Sequence, residues 1–281
     1  MNILYCGDSN IAEGLMLSIL SLLDCTQEPL NIYILTVSYT DGERHCAPLS
    51  PAFIRALDRR VKAHNENSSV TGIDISPLFA AQPPAANLQT RFTPGCMLRL
   101  YADLLPQLPD KLLYLDCDVL CCRSFADFYR QDMTDTEIIG VLDHYGKWFF
   151  RNDPLRMDYL NSGVLLLNLE EIRKTGLFQK CRVRCAEKKM FMPDQSAINK
   201  LCVRKKIAHR RFNEQRRLLP DTVFQHFTTS FRFFPYIHTV TVKPWQTERM
   251  HSVLKLHAYD DLLARHSQWK KSLQKEDHIH V

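Results

Sequence analysis

Short apolar runs alternate along this chain with stretches in which apolar residues recur every three or four positions. Residues 2–6 and 30–37 are short and nearly continuous in apolar side chains, which is typical of buried parallel strands. Residues 11–23 carry apolar side chains at helical spacing, and a second helix is predicted over 51–64. The same patterns predict strands over 70–75, 112–115, 138–142, 164–168 and 239–242, and helices over 93–105, 125–129 and 169–189. Alternation of strand and helix predicts an α/β fold with a mostly parallel central sheet flanked by helices.

The apolar run of residues 112–115 ends in two carboxylates one residue apart, Asp116 and Asp118. Side chains alternate along a strand, so both acids point the same way at its C-terminal end. Neighbouring carboxylates repel each other and resist desolvation, a cost that a divalent cation with a preference for oxygen ligands, such as Mg²⁺ or Mn²⁺, removes. Asp-x-Asp is common by chance, and acids often cluster in loops after strands. Its position directly after a predicted strand favours a metal site that serves phosphate chemistry.

Other polar side chains also follow predicted strands. Asp8 and Asn10 come after the first strand, and Asp143 comes after residues 138–142. Nucleotides bind to open α/β sheets beyond the carboxyl ends of the strands. We therefore expect these residues to gather with Asp116 and Asp118 at one edge of the sheet. Taken alone, Asp8 is equally explained as a helix N-cap.

Composition and charge narrow the class of protein. The 281 residues include ten cysteines but no Cys-x-x-Cys pair, which argues against a zinc site. The sequence contains no run of about 18 apolar residues, so no transmembrane helix is predicted. Its first residues do not resemble a signal peptide. We therefore expect a cytoplasmic protein with reduced thiols. The net charge is +5, and none of the usual nucleic-acid-binding modules occurs, so a nucleic-acid partner is not expected.

Basic residues cluster at 204–206, 210–211, 216–217 and 270–271. Clusters of this kind are typical of solvated faces. Contact with an anionic lipid or with a phosphorylated acceptor is a second interpretation.

Six segments, in chain order, resemble the family 8 retaining glycosyltransferases, which include bacterial lipopolysaccharide glucosyl- and galactosyltransferases and glycogenin. The resemblance implies a GT-A type nucleotide-sugar-binding domain over residues 1–250 and a small helical tail over 251–281. The segments are Gly7-Asp8-Ser9-Asn10, Met97-Leu98-Arg99-Leu100, Leu113-Tyr114-Leu115-Asp116-Cys117-Asp118, Tyr159-Leu160-Asn161-Ser162-Gly163-Val164-Leu165-Leu166-Leu167-Asn168-Leu169, Pro193-Asp194-Gln195-Ser196-Ala197-Ile198-Asn199 and Val242-Lys243-Pro244-Trp245.

The resemblance implies a role for each matching residue. Asp8 and Asn10 would contact the uridine and ribose of UDP-glucose or UDP-galactose, and Lys243 would bind the diphosphate. Asp116 and Asp118 would hold Mn²⁺, or Mg²⁺, against that diphosphate. Cys117, between them, is expected beside the bound donor. Asp143 lies outside the six segments, but it follows a predicted strand and is expected near the acceptor side of the donor site. Residues expected around the donor sugar as catalytic residues are Arg99, Asn161, Asp194 and Gln195.

Gln195 raises a mechanistic question, because a neutral amide is a poor nucleophile for double displacement. Front-side attack is therefore favoured, with the leaving phosphate accepting the proton of the acceptor hydroxyl and the Gln195 carbonyl oxygen stabilising oxocarbenium-like charge. Each neighbour also has a structural explanation: Arg99 as a salt-bridged helix residue, Asn161 as a turn former and Asp194 as a helix cap.

The last segment departs from the family pattern. The family places a histidine, its third metal ligand, six residues before the lysine, with a glycine between them. Here His238 lies five residues before Lys243, and Val240 stands at the position of the glycine. His238 is nevertheless the predicted third ligand, with His226 as a remote substitute. The departure also motivates an alternative function, a degenerate relative that binds a UDP-sugar with little or no transfer.

The leading hypothesis is a metal-dependent retaining hexosyltransferase that moves glucose or galactose to a saccharide of a surface glycan such as lipopolysaccharide or capsule. A metal-dependent nucleotidyltransferase or phosphohydrolase is disfavoured, because no glycine-rich loop follows the first strand. Trp148, Phe149 and Phe150 are candidates for stacking on the acceptor, or for packing of a loop. Residues 262–281 are interpreted as an amphipathic helix, either docked on its own domain or lying on the inner membrane surface near a lipid-linked acceptor.

Overall fold

The computed structural model describes residues 1–41, 44–89, 94–146, 158–232 and 238–276. The thirteen strands within these ranges are numbered in chain order. They are β1 (Asn2–Cys6), β2 (Asn31–Thr36), β3 (Tyr39–Asp41), β4 (Arg44–Cys46), β5 (Ser69–Asp74), β6 (Lys111–Leu115), β7 (Val119–Cys121), β8 (Ile138–Leu142), β9 (Leu160–Asn168), β10 (Lys205–Ile207), β11 (Phe224–His226), β12 (Ser230–Arg232) and β13 (His238–Val240).

Seven of these strands form the central sheet, in the order β10-β8-β9-β6-β1-β2-β5. The neighbours β6, β1, β2 and β5 run parallel, as do β8 and β10. Only β9 is reversed, because it pairs antiparallel with both β6 and β8. The α/β class and the mostly parallel sheet predicted from the sequence are therefore confirmed. The reversal brings the start of β9, residues 160–163, to the edge where β6 and β8 end.

Helices cover both faces of the sheet. The prediction of a helix over 51–64 is confirmed to the residue, whereas the one predicted from 93 is a 3₁₀ helix that starts at Pro94 within the described residues. The segment 169–189 divides at Gly176, whose φ of +67° ends the first helix in the left-handed conformation that glycine adopts readily. The α-helices are Ala12–Cys25, Pro51–His64, Ser76–Ala81, Ala126–Tyr129, Leu169–Thr175, Leu177–Glu187, Pro193–Leu201, Thr247–Arg249 and Asp260–Glu276; the 3₁₀ helices are Ser9–Ile11, Ala85–Asn87, Pro94–Leu104 and Arg210–Phe212, and a π-helical turn spans Met250–Leu254.

Alternate residues of each central strand enter two apolar layers, one on each face of the sheet. Ile3 and Leu113 belong to the layer under Ala12–Cys25 and Pro51–His64. Leu4 and Leu112 belong to the opposite layer, under Pro94–Leu104 and Leu177–Glu187. Burial on both faces explains why these strands read as continuous apolar runs.

The C-terminal helix Asp260–Glu276 packs against the first helix of the chain. Leu262 and Leu263 are buried in a third apolar cluster together with Leu17 and Leu20. Arg265 also donates to Asp24 at 2.8 Å. The tail is therefore docked on its own domain, while contact with a membrane remains a prediction. No helix within the described residues combines the length and the apolar character that crossing a membrane requires.

Candidate active site

Polar side chains collect where β1, β6 and β8 end, as the sequence predicts. Asp8 is buried just past β1 and caps the helix Ser9–Ile11, its two carboxylate oxygens accepting from the Asn10 backbone N–H (3.0 Å) and side-chain amide (3.1 Å). The capping interpretation of Asp8 is thus observed. Contact of Asp8 and Asn10 with a nucleoside remains a prediction.

Asp116, Asp118 and His226 form a compact cluster whose potential ligand atoms all lie within 4.8 Å of one another. His226 Nε2 is 3.3 Å from Asp118 Oδ1 and 3.7 Å from Asp116 Oδ2. His238, which the spacing to Lys243 favoured as the third ligand, lies in β13 and is not a member of this cluster. Among the described residues it is His226, the predicted substitute, that lies beside the two aspartates.

A hairpin explains the displaced histidine. β11 pairs antiparallel with β7, with His226 opposite Val119, which places the imidazole beside the aspartates. The strands β12 and β13 then pair with each other before the chain returns to Lys243, seventeen positions after His226. The residues between His226 and Lys243 are therefore an insertion relative to the family spacing. Counting back six residues from the lysine ends inside it, at Ile237, which lies outside the described residues.

Hydrogen bonds fix the tautomer and direction of His226. Its Nδ1 lies 3.1 Å from Asn161 Oδ1 and 3.2 Å from Asn213 Oδ1. Asn161 Oδ1 also accepts from the Gly163 N–H at 3.0 Å and from the Asn213 amide at 2.9 Å, so it faces the ring as an acceptor. Nδ1 must then carry the proton, and Nε2 directs a lone pair at the two carboxylates.

Such an arrangement of acceptors requires a cation or a second proton between them. One imidazole nitrogen and two carboxylate oxygens are a ligand set that suits Mn²⁺ and that Mg²⁺ also accepts. Gly163 leaves the room that the ring needs, since a Cβ atom there would lie 2.6 Å from Nδ1 of His226. The residues present therefore fit a divalent cation, and the Asn161 and Asn213 side chains would orient its histidine ligand.

Arg99 pairs with two acids, the half-buried Asp116 and the buried Asp194. The helix Pro94–Leu104 buries its side chain, which is 1% exposed, with the guanidinium 3.7 Å from the ring centre of Tyr114. One guanidinium nitrogen lies 3.0 Å from Asp116 Oδ1 and 3.4 Å from Asp194 Oδ2. Another donates to the Ser162 carbonyl. The salt-bridged interpretation of Arg99 is therefore observed, and it holds two predicted site residues in one place.

The pKa values of the two buried aspartates, Asp118 and Asp194, shift in opposite directions. Burial raises the pKa of Asp118, but Lys243, together with His226 when a second proton occupies its Nε2, outweighs burial and holds that pKa well below its ordinary value. Burial also dominates at Asp194 and raises its pKa, with Arg99 compensating only in part. Lys243 donates to Asp118 Oδ2, and this carboxylate overcomes the effect of burial to raise the pKa of the lysine.

Gln195 is held from both ends of its amide. Its carbonyl oxygen accepts from the Ser162 N–H at 2.9 Å and hydroxyl at 3.2 Å. Its amide nitrogen donates to Asp143 Oδ2 at 3.2 Å, the same oxygen that accepts from Asn161 at 2.9 Å. Asp143 thus joins two predicted catalytic residues from separate segments. Asn213 was missed by sequence reasoning, since it follows no predicted strand and stands in no quoted motif.

The remaining predicted residues frame this network. A Cβ at Gly14 would lie 2.8 Å from the carbonyl oxygen of Cys117 and 2.6 Å from the ring of Trp245, so this glycine lets the first helix approach both. Burial raises the pKa of the Cys117 thiol, which suits packing rather than ionisation. All ten cysteines lie in described ranges and none forms a disulfide. Trp148, Phe149 and Phe150 lie outside the described residues.

Known proteins share this sequence pattern. The family model "Glycosyl transferase family 8" matches residues 2–249. The chain belongs to glycosyl transferase family 8. Within the family it is similar to a lipopolysaccharide 1,2-glucosyltransferase of Escherichia coli, with 24% identity over 299 positions, covering 92% of this chain and 84% of that protein. Lipopolysaccharide glucosyltransferase WaaO of Escherichia coli K12 is also 24% identical, over 87% of this chain and 72% of the relative.

Solved structures confirm the fold of this family 8 glycosyltransferase. The galactosyltransferase LgtC, determined in complex with donor and acceptor sugar analogues, superposes with a TM-score of 0.69 and 20% identity, covering 95% of this chain and 96% of that one. GlyE of Streptococcus pneumoniae superposes with a TM-score of 0.62 and 15% identity, over 94% of this chain and 63% of that structure. The expected GT-A type fold is thereby confirmed.

Proposed function

We propose that this glycosyltransferase transfers glucose or galactose, with retention and with the help of Mn²⁺ or Mg²⁺, from a UDP-sugar to a saccharide of a surface glycan such as lipopolysaccharide or capsule. The observation that carries the proposal is the convergence of Asp116, Asp118, His226 and Lys243 from three segments on one point. The similarity to lipopolysaccharide glucosyltransferases supports the class of acceptor.

Asp116, Asp118 and His226 would hold the metal ion in this proposal. A bound divalent cation at that point supplies positive charge where the diphosphate becomes a leaving group. Lys243, whose ammonium lies at Asp118, would exchange that partner for a phosphate oxygen when UDP binds. Asp8 and Asn10, at the end of the neighbouring strand β1, would contact the nucleoside.

The donor sugar would lie over Asp194, Gln195 and Asn161. Asp194 is a buried carboxylate that accepts from the Ser162 hydroxyl at 3.3 Å, and its remaining acceptor capacity suits a sugar hydroxyl. Gln195 has both ends of its amide engaged, so it is fixed in place without being activated as a nucleophile. This fixed neutral amide supports front-side attack, in which the leaving phosphate takes the proton of the acceptor hydroxyl.

The degenerate alternative loses its main motivation once His226 is recognised. That alternative rested on the altered spacing between His238 and Lys243, and the insertion of β12 and β13 accounts for the spacing. A complete set of candidate ligands remains beside the intact Asp194 and Gln195. An active transferase, working in the cytoplasm where its proposed donor is made, is therefore the better-supported proposal.

Thermal stability measured with UDP, UDP-glucose and UDP-galactose, each with and without Mn²⁺, tests the donor site. A ligand at one hundred times its Kd adds about 2.7 kcal/mol to the free energy of unfolding. We expect a rise in Tm that requires nucleotide and metal together and that disappears in Asp118→Asn but persists in Asp127→Asn, an exposed control. A shift that is independent of metal, or equal in both variants, would contradict the metal assignment.

A further inference from the structure

A pocket opens next to the network of Asp143, Asn161 and Gln195. It encloses about 350 Å³, within the range of small-molecule sites, and lies between the end of β8 and the segment that follows Arg210–Phe212. Its lining residues include Leu142, His144, Asn213, Arg216 and Arg217. The pocket is therefore built largely from residues that none of the roles above uses.

The wall of this pocket is shared with the active site. Leu142 and His144 stand on either side of Asp143, whose carboxylate accepts from Asn161 and Gln195. Asn213 lines the pocket and also touches His226. A group bound in this pocket would thus lie one side-chain layer from the proposed donor sugar, where an acceptor has to enter.

The lining of the pocket carries more positive than negative charge, with three arginines and one glutamate. Its acidic member, Glu214, is already paired with Arg210 at 2.8 Å, and Asp221 accepts a second bond from Arg210 at 3.0 Å. Arg216 and Arg217 are exposed, and neither forms an ion pair with any carboxylate in the described parts of the chain. Two unpaired guanidiniums at one pocket next to a transfer site attract an anion.

We infer that the acceptor of this transferase carries a negatively charged group, a phosphate or a carboxylate, which Arg216 and Arg217 bind while the adjacent sugar faces Asp143. The inference rests on the proposed transfer to a saccharide and specifies the chemical class of that saccharide. Guanidinium groups bind both anions through paired N–H donors, so the two sources share one chemistry. The concave setting favours a group on a soluble or projecting glycan over the flat surface of an anionic bilayer.

The test uses the full chain saturated with UDP and Mn²⁺, titrated calorimetrically with a deacylated lipopolysaccharide core oligosaccharide. Three forms of the oligosaccharide serve as probes: intact, dephosphorylated, and with its carboxyl groups reduced. The variant Arg216→Gln/Arg217→Gln is compared with Arg55→Gln/Arg59→Gln, two exposed arginines on the helix that packs on β5 at the opposite edge of the sheet. Binding of UDP and Mn²⁺ alone is measured first in every variant.

We expect the pocket variant to bind the intact oligosaccharide on the order of tenfold more weakly, as for the loss of one or two exposed charge-assisted contacts. The control variant should bind the intact oligosaccharide as wild type does. One of the two chemically treated oligosaccharides should bind wild type weakly, with the affinity that the intact oligosaccharide has for the pocket variant. That probe identifies the anion as phosphate or carboxylate.

Equal binding of all three probes, or of none, with UDP and Mn²⁺ still bound would overturn the anionic acceptor while leaving the donor site intact. So would a pocket variant that loses only its association with vesicles of anionic phospholipid. Failure of UDP and Mn²⁺ to bind would instead overturn the proposed function itself. The two failures are therefore distinguishable.

Discussion

Gly163 is the residue through which the candidate metal site can be perturbed without changing a single ligand. A Cβ atom at this position would lie 2.6 Å from Nδ1 and 2.8 Å from Nε2 of His226, whereas ordinary contacts lie at 3.4–4 Å. In Gly163→Ala the ring therefore has to retreat by roughly 1 Å, an overpacking that costs about 1–3 kcal/mol. A retreat of that size breaks the 3.1 Å contact with Asn161 that orients the imidazole.

Loss of that orientation should weaken Mn²⁺ binding by about 10- to 100-fold, the usual effect of removing a group that positions a metal ligand. Calorimetric titration of the protein with Mn²⁺ in the presence of UDP measures this affinity, and urea denaturation measures the stability. In Gly163→Ala/His226→Ala the methyl group enters the space left by the ring. The double variant should therefore be more stable than the sum of the single changes by about 0.5–3 kcal/mol.

Two controls separate this effect from a general loss of packing. Gly140→Ala places a methyl group 2.9 Å from Leu165 in the apolar core, so it should lower stability and leave Mn²⁺ affinity unchanged. His238→Ala should likewise leave the affinity unchanged, since His238 is outside the cluster. If Gly163→Ala bound Mn²⁺ as wild type does, or if His238→Ala matched it, the assignment of His226 as a ligand would be refuted.

Three further outcomes follow from burial and charge. Because burial raises the pKa of Asp194, the free energy of unfolding falls as pH rises from the ordinary aspartate pKa of about 3.9 through the raised pKa of the folded protein. In Asp194→Asn this pH dependence should disappear from urea melts, and stability at pH 7 should rise. Sugar transfer by the same variant should fall about 10- to 100-fold. Lys243→Gln should weaken UDP binding at least tenfold but leave uridine binding unchanged, measured by calorimetry. Leu263→Asp should lower the free energy of unfolding by at least about 2 kcal/mol, and an unchanged value would contradict a docked tail.

Local sequence patterns predicted the elements that are marked by a continuous apolar run or by clear capping residues. The strand 138–142 and the helix 51–64 were predicted to the residue, because one is apolar throughout and the other has Ser50 as an N-cap, accepting from Phe53, and proline at its first turn. The start of β9 was missed, because Asn161 and Ser162 are polar and typical of turns. These two residues extend the strand since their side chains are satisfied inside the site, by Asp143 and Gln195.

The candidate site was predictable where its residues follow strands and unpredictable where pairing is distant. Asp116, Asp118 and Asp143 need only the ends of β6 and β8. His226 depends on the pairing of β11 with β7, about one hundred residues earlier in the chain, and Asn213 depends on its contacts with His226 and Asn161. No periodicity within a window of ten or fifteen residues carries that information.

The hairpin of β12 and β13 explains why the spacing between histidine and lysine did not lead to His226, although His226 lies beside Asp116 and Asp118. Each end of the closing segment is anchored independently: His226 by β7 and Asn161, and Lys243 by the adjacent Trp245, which packs on Gly14 of the first helix. Lengthening the connection from six to seventeen residues raises the entropic cost of closing it by only about 1 kcal/mol. The pairing of β12 with β13 offsets part of that cost. The two anchors are therefore held in space independently of the length of chain between them, so a metal ligand in such a segment has to be sought by the strand that carries it.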